Sequence, residues 1–108
     1  IKRTEAFREK TASAEYSQGA ADGSRPGTFY VPIPDVAKYN YYGDEDLFLH
    51  EAIPGHHFQI SLQQENQQLP DFRKFNWFGA YGEGWALYTE SLGKELGLTV
   101  ARTPHLDK

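Results

Sequence analysis

Residues 50–57 read His50-Glu51-Ala52-Ile53-Pro54-Gly55-His56-His57 and hold three of the chain's four histidines. A zinc hydrolase needs imidazoles to hold the metal and a carboxylate beside them to activate water. The common HExxH motif places its two histidines at i and i+4, one turn apart on one helix face. Here position 54 is proline, and the next histidines come two and three residues late. In a straight helix His56 would point about 120° away from His50, and His57 would return to the face of His50 about 10 Å along the axis. Neither is a chelate. Pro54 removes the hydrogen bond to the His50 carbonyl, and a bulge there could turn His56 back beside His50, because bulges re-aim side chains. The residues leave His56 and His57 as competing second ligands. Glu51, next to His50, is the candidate general base. The plain alternative is that His56 and His57 finish a helix end and Glu51 is a solvated carboxylate.

Working outward, Asp44-Glu45-Asp46 supply an N-cap and first-turn carboxylates that suit a helix dipole. One helix is predicted over 45–67 with a kink at Pro54-Gly55, and Leu47, Phe48 and Ala52 are expected to pack around His50. A short helix follows over 70–78. A third runs from 82 to 96 and ends at Gly97, a suitable C′ residue. The Gln- and Glu-rich run at 63–68 is read as a solvated face. Upstream, residues 1–16 are charged and weakly helical, and 17–27 (SQGAADGSRPG) are loop by composition. Residues 28–34 (TFYVPIP) form one short strand, expected at an edge because Pro32 and Pro34 lack donors.

The third helix carries Gly82-Glu83-Gly84-Trp85-Ala86-Leu87-Tyr88-Thr89-Glu90. A zinc site with two histidines needs a third protein ligand, often a carboxylate from another helix. Glu83 and Glu90 lie two turns apart on one face. Glu83, in the expected first turn between two glycines, is the candidate ligand. Glu90 is the candidate acceptor that orients a ligand histidine. Exposed glutamates on an amphipathic helix are the competing reading.

Composition bounds the rest. The 108 residues amount to about one small domain. A hydrophobic fraction of 39% and a mean hydropathy of −0.68 make a thin core, which the 15% of aromatic residues partly offsets. These features suggest a segment of a longer protein. The net charge of −4 argues against a nucleic-acid partner. No apolar run approaches the roughly 20 residues of a membrane span. With no cysteine, a metal site must be built from His, Asp and Glu.

The two motifs together resemble known patterns. Aminopeptidase N-type zinc enzymes carry HExxH and then a segment like NEGFAxYxE, whose first Glu is the third zinc ligand; in register this falls on Glu83. Thimet-type peptidases place Gly before the second ligand His, as Gly55 precedes His56, and dipeptidyl-peptidase III enzymes stretch the motif by one residue. Nearly the whole chain, through DGSRPGTFYVP (22–32), HEAIPGHHFQ (50–59) and EGWALYTESLGKELGL (83–98), is similar to the bacterial domain-of-unknown-function family 885. That resemblance implies a long, largely helical, gluzincin-like zinc metallopeptidase of the bacterial cell envelope, periplasmic or secreted and often a lipoprotein. Residues 1–108 would be its central catalytic segment, docked on the remainder of the same protein. The expected fold class is mainly α, with a kinked zinc helix, a second Glu-bearing helix and one edge strand. The expected site is Zn²⁺ on His50, His56 and Glu83, with Glu51 as catalytic base and a peptide as substrate. A non-catalytic metal-binding or inactive helical scaffold is the alternative. The resemblance also gives Thr28–Val31 a possible role as substrate-binding edge strand, against the equally weighted reading of a short strand that pairs internally. Arg25 becomes a possible partner for a substrate carboxylate, against the commoner reading of a loop arginine. Tyr41 and Tyr42 become possible oxyanion donors, against the commoner reading of packing aromatics. His105 is assigned nothing.

Overall fold

A computed structural model describes residues 1–98. Within them, three short strands precede four helices. β1 (Lys2–Arg3), β2 (Glu15–Ser17) and β3 (Thr28–Val31) form one sheet of order β1-β3-β2, with β1 parallel and β2 antiparallel to β3. β3 is therefore central rather than an edge. Its residues are β-branched or aromatic, which suits a half-buried pleat, and Phe29 is buried. The prolines do not oppose this, because Pro32 and Pro34 lie beyond the strand's last paired residue, Val31.

The expectation of a weakly helical N-terminus is corrected. Residues 5–12 make isolated helical turns, with Arg8 and Glu9 bonding back to Glu5 and Thr11 and Ala12 to Arg8, while the flanks are strands. Glu9 explains the arrangement. Its buried carboxylate accepts Arg3 Nε at 2.7 Å, Arg3 Nη2 at 2.9 Å and the Ile33 backbone N–H at 2.7 Å. One carboxylate thus joins β1, the turn and the end of β3. Local propensity carries no sign of a contact 24 residues away.

Two 3₁₀ turns, Val36–Lys38 and Tyr41–Gly43, lead into α1 (Asp44–Glu51). Asp35 and Asn40 cap them by accepting from Ala37 and Tyr42. α1 stops at Glu51 and α2 runs over His56–Glu65, so the expected single kinked helix is two helices separated at 52–55. α3 is shorter than expected (Asp71–Phe75), and α4 begins earlier and ends earlier (Gly79–Ser91). Turns continue past α4 to Gly97, whose φ of +80° is the left-handed conformation expected of it.

The helical core is small and rests on close approach. α4 buries Gly82, Ala86 and Thr89, at i, i+4 and i+7, which is one helix face. Ala86 and Thr89 are fully buried, as is Leu49 of α1, while Ala52 beyond its end is buried too. Leu47 and Phe48, expected around His50, are only half-buried. The Thr89 hydroxyl donates to the Leu49 carbonyl at 2.8 Å and lies 2.7 Å from the Ala86 carbonyl. Leu49 is in the last turn of α1, where carbonyls lack intrahelical partners, so α4 caps α1 from the side.

Two outcomes follow. Thr89→Val keeps the shape but strands the Leu49 carbonyl in a buried site; urea unfolding of the intact protein should show a loss of about 1–3 kcal/mol. Glu9 is held below the usual carboxylate range first by its hydrogen bonds to Arg3 and then by the Ile33 N–H. A depressed folded pKa contributes stability above the unfolded value of 4.5 that is lost as pH falls through the folded value. Glu9→Gln should therefore lower the urea midpoint at about pH 6, and the gap from wild type should narrow towards about pH 3.

Candidate functional site

The site begins at the break between α1 and α2. Gly55 packs so closely on the end of α1 that a Cβ there would overlap the carbonyl oxygens of His50 and Leu49. No other residue fits without moving backbone. The Phe58 N–H donates back to Ala52 across the break (3.3 Å), and Trp85 Nε1 of α4 donates to the Pro54 carbonyl at 2.7 Å. Chain direction therefore changes within four residues, and α2 starts at His56 rather than continuing the α1 axis.

That reversal brings His56 back to His50. Their ring centroids lie 4.8 Å apart with planes at 87°. Glu83 Oε2, from α4, is 3.4 Å from His50 Nε2 and 3.5 Å from His56 Nε2. Among the described residues this is the one group whose ligand atoms could share an ion, all lying within 4.8 Å of one another. Ligand atoms at about 2.0–2.2 Å from a tetrahedral ion lie about 3.3–3.6 Å apart. The two nitrogen–carboxylate separations fall on that value, so the donor set fits a zinc-sized cation. It is three donors rather than four.

The surroundings favour the same chemistry. His50 Nδ1 meets Glu90 Oε1 at 2.6 Å, which assigns the proton to Nδ1 and leaves the Nε2 lone pair facing Glu83 and His56. Burial pushes the His56 pKa down and nearby His50 adds to this, with Glu83 opposing, so His56 favours the neutral form that can donate to a cation. Its Nδ1 is buried without a partner among the described residues. Glu51 is buried beside His50, and burial raises its pKa, against the opposing effects of His50 and the Tyr16 backbone N–H. A raised carboxylate is a better proton acceptor near neutral pH.

A cleft of about 490 Å³ opens on this group. His50, Glu51, His56 and Glu83 line one side, with Trp77; Ala14, Glu15, Tyr16 and Gln18 line the other. That second wall is β2 and its flanks, whose outer edge has no strand partner among the described residues.

Residues 1–106 match the family model described as "Bacterial protein of unknown function (DUF885)". The chain belongs to the DUF885 family. It is also similar to a solved structure described as a "putative lipoprotein" from Colwellia psychrerythraea, with 38% identity and a TM-score of 0.82 over 88% of this chain. The DUF885 chain spans 16% of that longer protein. The search of curated proteins returned no match. None of the described helices is long and apolar enough to cross a membrane.

Several sequence expectations for this DUF885 chain can now be placed. His50, His56 and Glu83 come together, and Glu51 and Glu90 adjoin them. His57 does not join: its Nδ1 is hydrogen-bonded to the Tyr16 hydroxyl at 3.0 Å. Glu83 is not in the first turn of its helix, because α4 starts at Gly79. Of the two glycines that flank Glu83, Gly82 packs against the Trp77 ring, which a Cβ would overlap, and Gly84 faces open space. The same Trp77 ring stands edge-on to His56 at 5.6 Å. Thr28–Val31 is the central strand rather than an edge, with β1 paired to Tyr30 and Val31 on one side and β2 to Thr28–Tyr30 on the other. Arg25 donates to the Gln18 carbonyl at 2.8 Å and closes its own loop. Tyr41 and Tyr42 stack on each other, largely exposed, at 4.7 Å. His105 lies outside the described residues. Sequence reasoning missed Tyr16, Trp77 and the bond from Trp85 to Pro54. Their partners are 21–41 residues away with no periodic signal.

Gly55→Ala should force the junction apart, costing about 1–3 kcal/mol as a packing clash. Urea unfolding of the intact protein, free of added metal, measures it.

Proposed function

We propose that this chain is the catalytic segment of a zinc-dependent metallopeptidase. The observation that carries the reading is the convergence of His50 Nε2, His56 Nε2 and Glu83 Oε2 at separations of 3.4 and 3.5 Å, with Glu90 behind His50 and Glu51 beside it. Two imidazoles and one carboxylate are a donor set typical of catalytic zinc sites, which would keep a fourth position for water or substrate.

His50, His56 and Glu83 hold the ion. When bound, zinc polarises the scissile carbonyl and acidifies water. Glu90 keeps the His50 ring in the tautomer that presents Nε2. The Glu51 carboxylate takes a proton from the attacking water and delivers it to the departing amine, so the base ends as it began. An extended peptide lies in the cleft along the outer edge of β2, where backbone groups can pair with it as an added strand. This moves the substrate strand from Thr28–Val31 to Glu15–Ser17.

The test uses the intact, full-length protein. Wild type should take up one zinc per chain by elemental analysis and cleave a quenched fluorescent peptide library. Glu51→Gln should keep the zinc and lose hydrolysis by about 100-fold or more, the scale of general acid–base catalysis. Glu90→Gln should weaken zinc binding by about 10–100-fold in a chelator competition. A protein that binds zinc but cleaves nothing belongs to the scaffold alternative. One that binds no zinc removes the proposal altogether.

A further inference from the structure

The HEAIPGHH stretch contains a third histidine that the metal group does not use. His57 follows His56 directly, yet it points away from the group to Tyr16 of β2. The hydroxyl–Nδ1 distance is 3.0 Å, and the rings meet edge-on with centroids 5.4 Å apart. Gly27 lies against this contact. A Cβ at that position would overlap the Tyr16 hydroxyl and come within 2.8 Å of His57 Nδ1. The contact is thus built from three separate segments: β2, the loop before β3, and the first turn of α2.

Its position gives it a consequence. β2 has three residues and, among the described residues, one strand partner, β3, so its own ladder holds it weakly. β2 and its flanks form one wall of the cleft, and the metal group forms the other. His57 is covalently next to His56 on the second wall, and Tyr16 is in the middle of the first. The hydrogen bond between them therefore ties the two walls together.

We propose that Tyr16 and His57 form a latch that sets the width of the cleft, with Tyr16 a positioning residue that holds the outer edge of β2 within reach of an extended peptide. The substrate half of this inference rests on the peptidase reading; the mechanical half does not. Neighbouring histidines then divide the work, His56 to the ion and His57 to the strand that presents the substrate.

The experiment compares wild type with Tyr16→Phe, Gly27→Ala and two replacements of His57, all in the full-length protein. Amide hydrogen exchange over residues 14–18, measured without substrate, should speed up in Tyr16→Phe and Gly27→Ala by about 2–10-fold, the scale of one lost hydrogen bond. His57→Phe should do the same. His57→Asn, which keeps a hydrogen-bonding atom near the Nδ1 position, should restore most of the protection. Zinc affinity should stay within about twofold in Tyr16→Phe, because the ligands are untouched. KM for an extended peptide should rise by about 2–10-fold while kcat holds, as expected when binding contacts rather than the reacting groups are disturbed. Unchanged exchange at 14–18 in both Tyr16→Phe and Gly27→Ala overturns the latch, whatever the enzyme does. Loosened exchange with kcat falling and KM fixed overturns the positioning role. If wild type binds no zinc and cleaves no peptide, the peptidase reading and the substrate half fall together, and the exchange data still decide the mechanical half.

Discussion

The contact of Gly55 with the final carbonyls of α1 is the constraint on which the arrangement depends. Pro54 cannot donate to the carbonyl of His50, which favours a break there, and α1 ends at Glu51. An ended helix alone would leave His56 pointing anywhere. The missing side chain at position 55 lets the backbone fold directly onto the helix end, so that α2 begins beside α1 instead of beyond it. The separation of His50 and His56 is then a property of packed backbone, not of side-chain rotamers. Rigid backbone is what a metal group needs, since small displacements of a donor weaken it steeply.

Helix α4 answers that constraint from the other side. Its Gly82, Ala86 and Thr89 are small enough for close packing, and its polar groups terminate what the break leaves open. Thr89 takes the Leu49 carbonyl and Trp85 takes the Pro54 carbonyl. Glu83 and Glu90, seven residues apart on the same helix, address the two nitrogens of the same His50 ring. The rings on this helix and its neighbours are often left exposed, Trp77, Phe78, Tyr81 and Tyr88 among them. That is consistent with a chain that spans 16% of the longer protein it resembles.

Much of the candidate site was legible because its chemistry is local. His50, Glu51 and Glu83 sit in short motifs whose residue types suggest their roles, and Glu90 could be paired with Glu83 by helical spacing alone. The choice between His56 and His57 was not legible. Angles on a straight helix exclude both, and only the geometry of the break selects one. The strands were misread for a related reason. Pro32 and Pro34 look like edge-strand prolines until the pairing shows that β3 ends at Val31, and the N-terminal residues look weakly helical until Glu9 is seen binding Ile33.

By itself the sequence pointed to a break at Pro54-Gly55, to the groups that could bind a cation or move a proton, and to a site without cysteine. These follow from single residues and spacings of a few positions, since proline lacks a donor, glycine lacks a Cβ, and imidazoles and carboxylates are side chains that can bind cations and exchange protons. The tertiary structure alone decided which histidine turns inward, that β3 is the central strand while β2 has one strand partner among the described residues, and that Tyr16 meets His57. The first is set within the four residues of the break and the last spans 41 residues; all depend on how closely backbones can approach, and no local propensity encodes them.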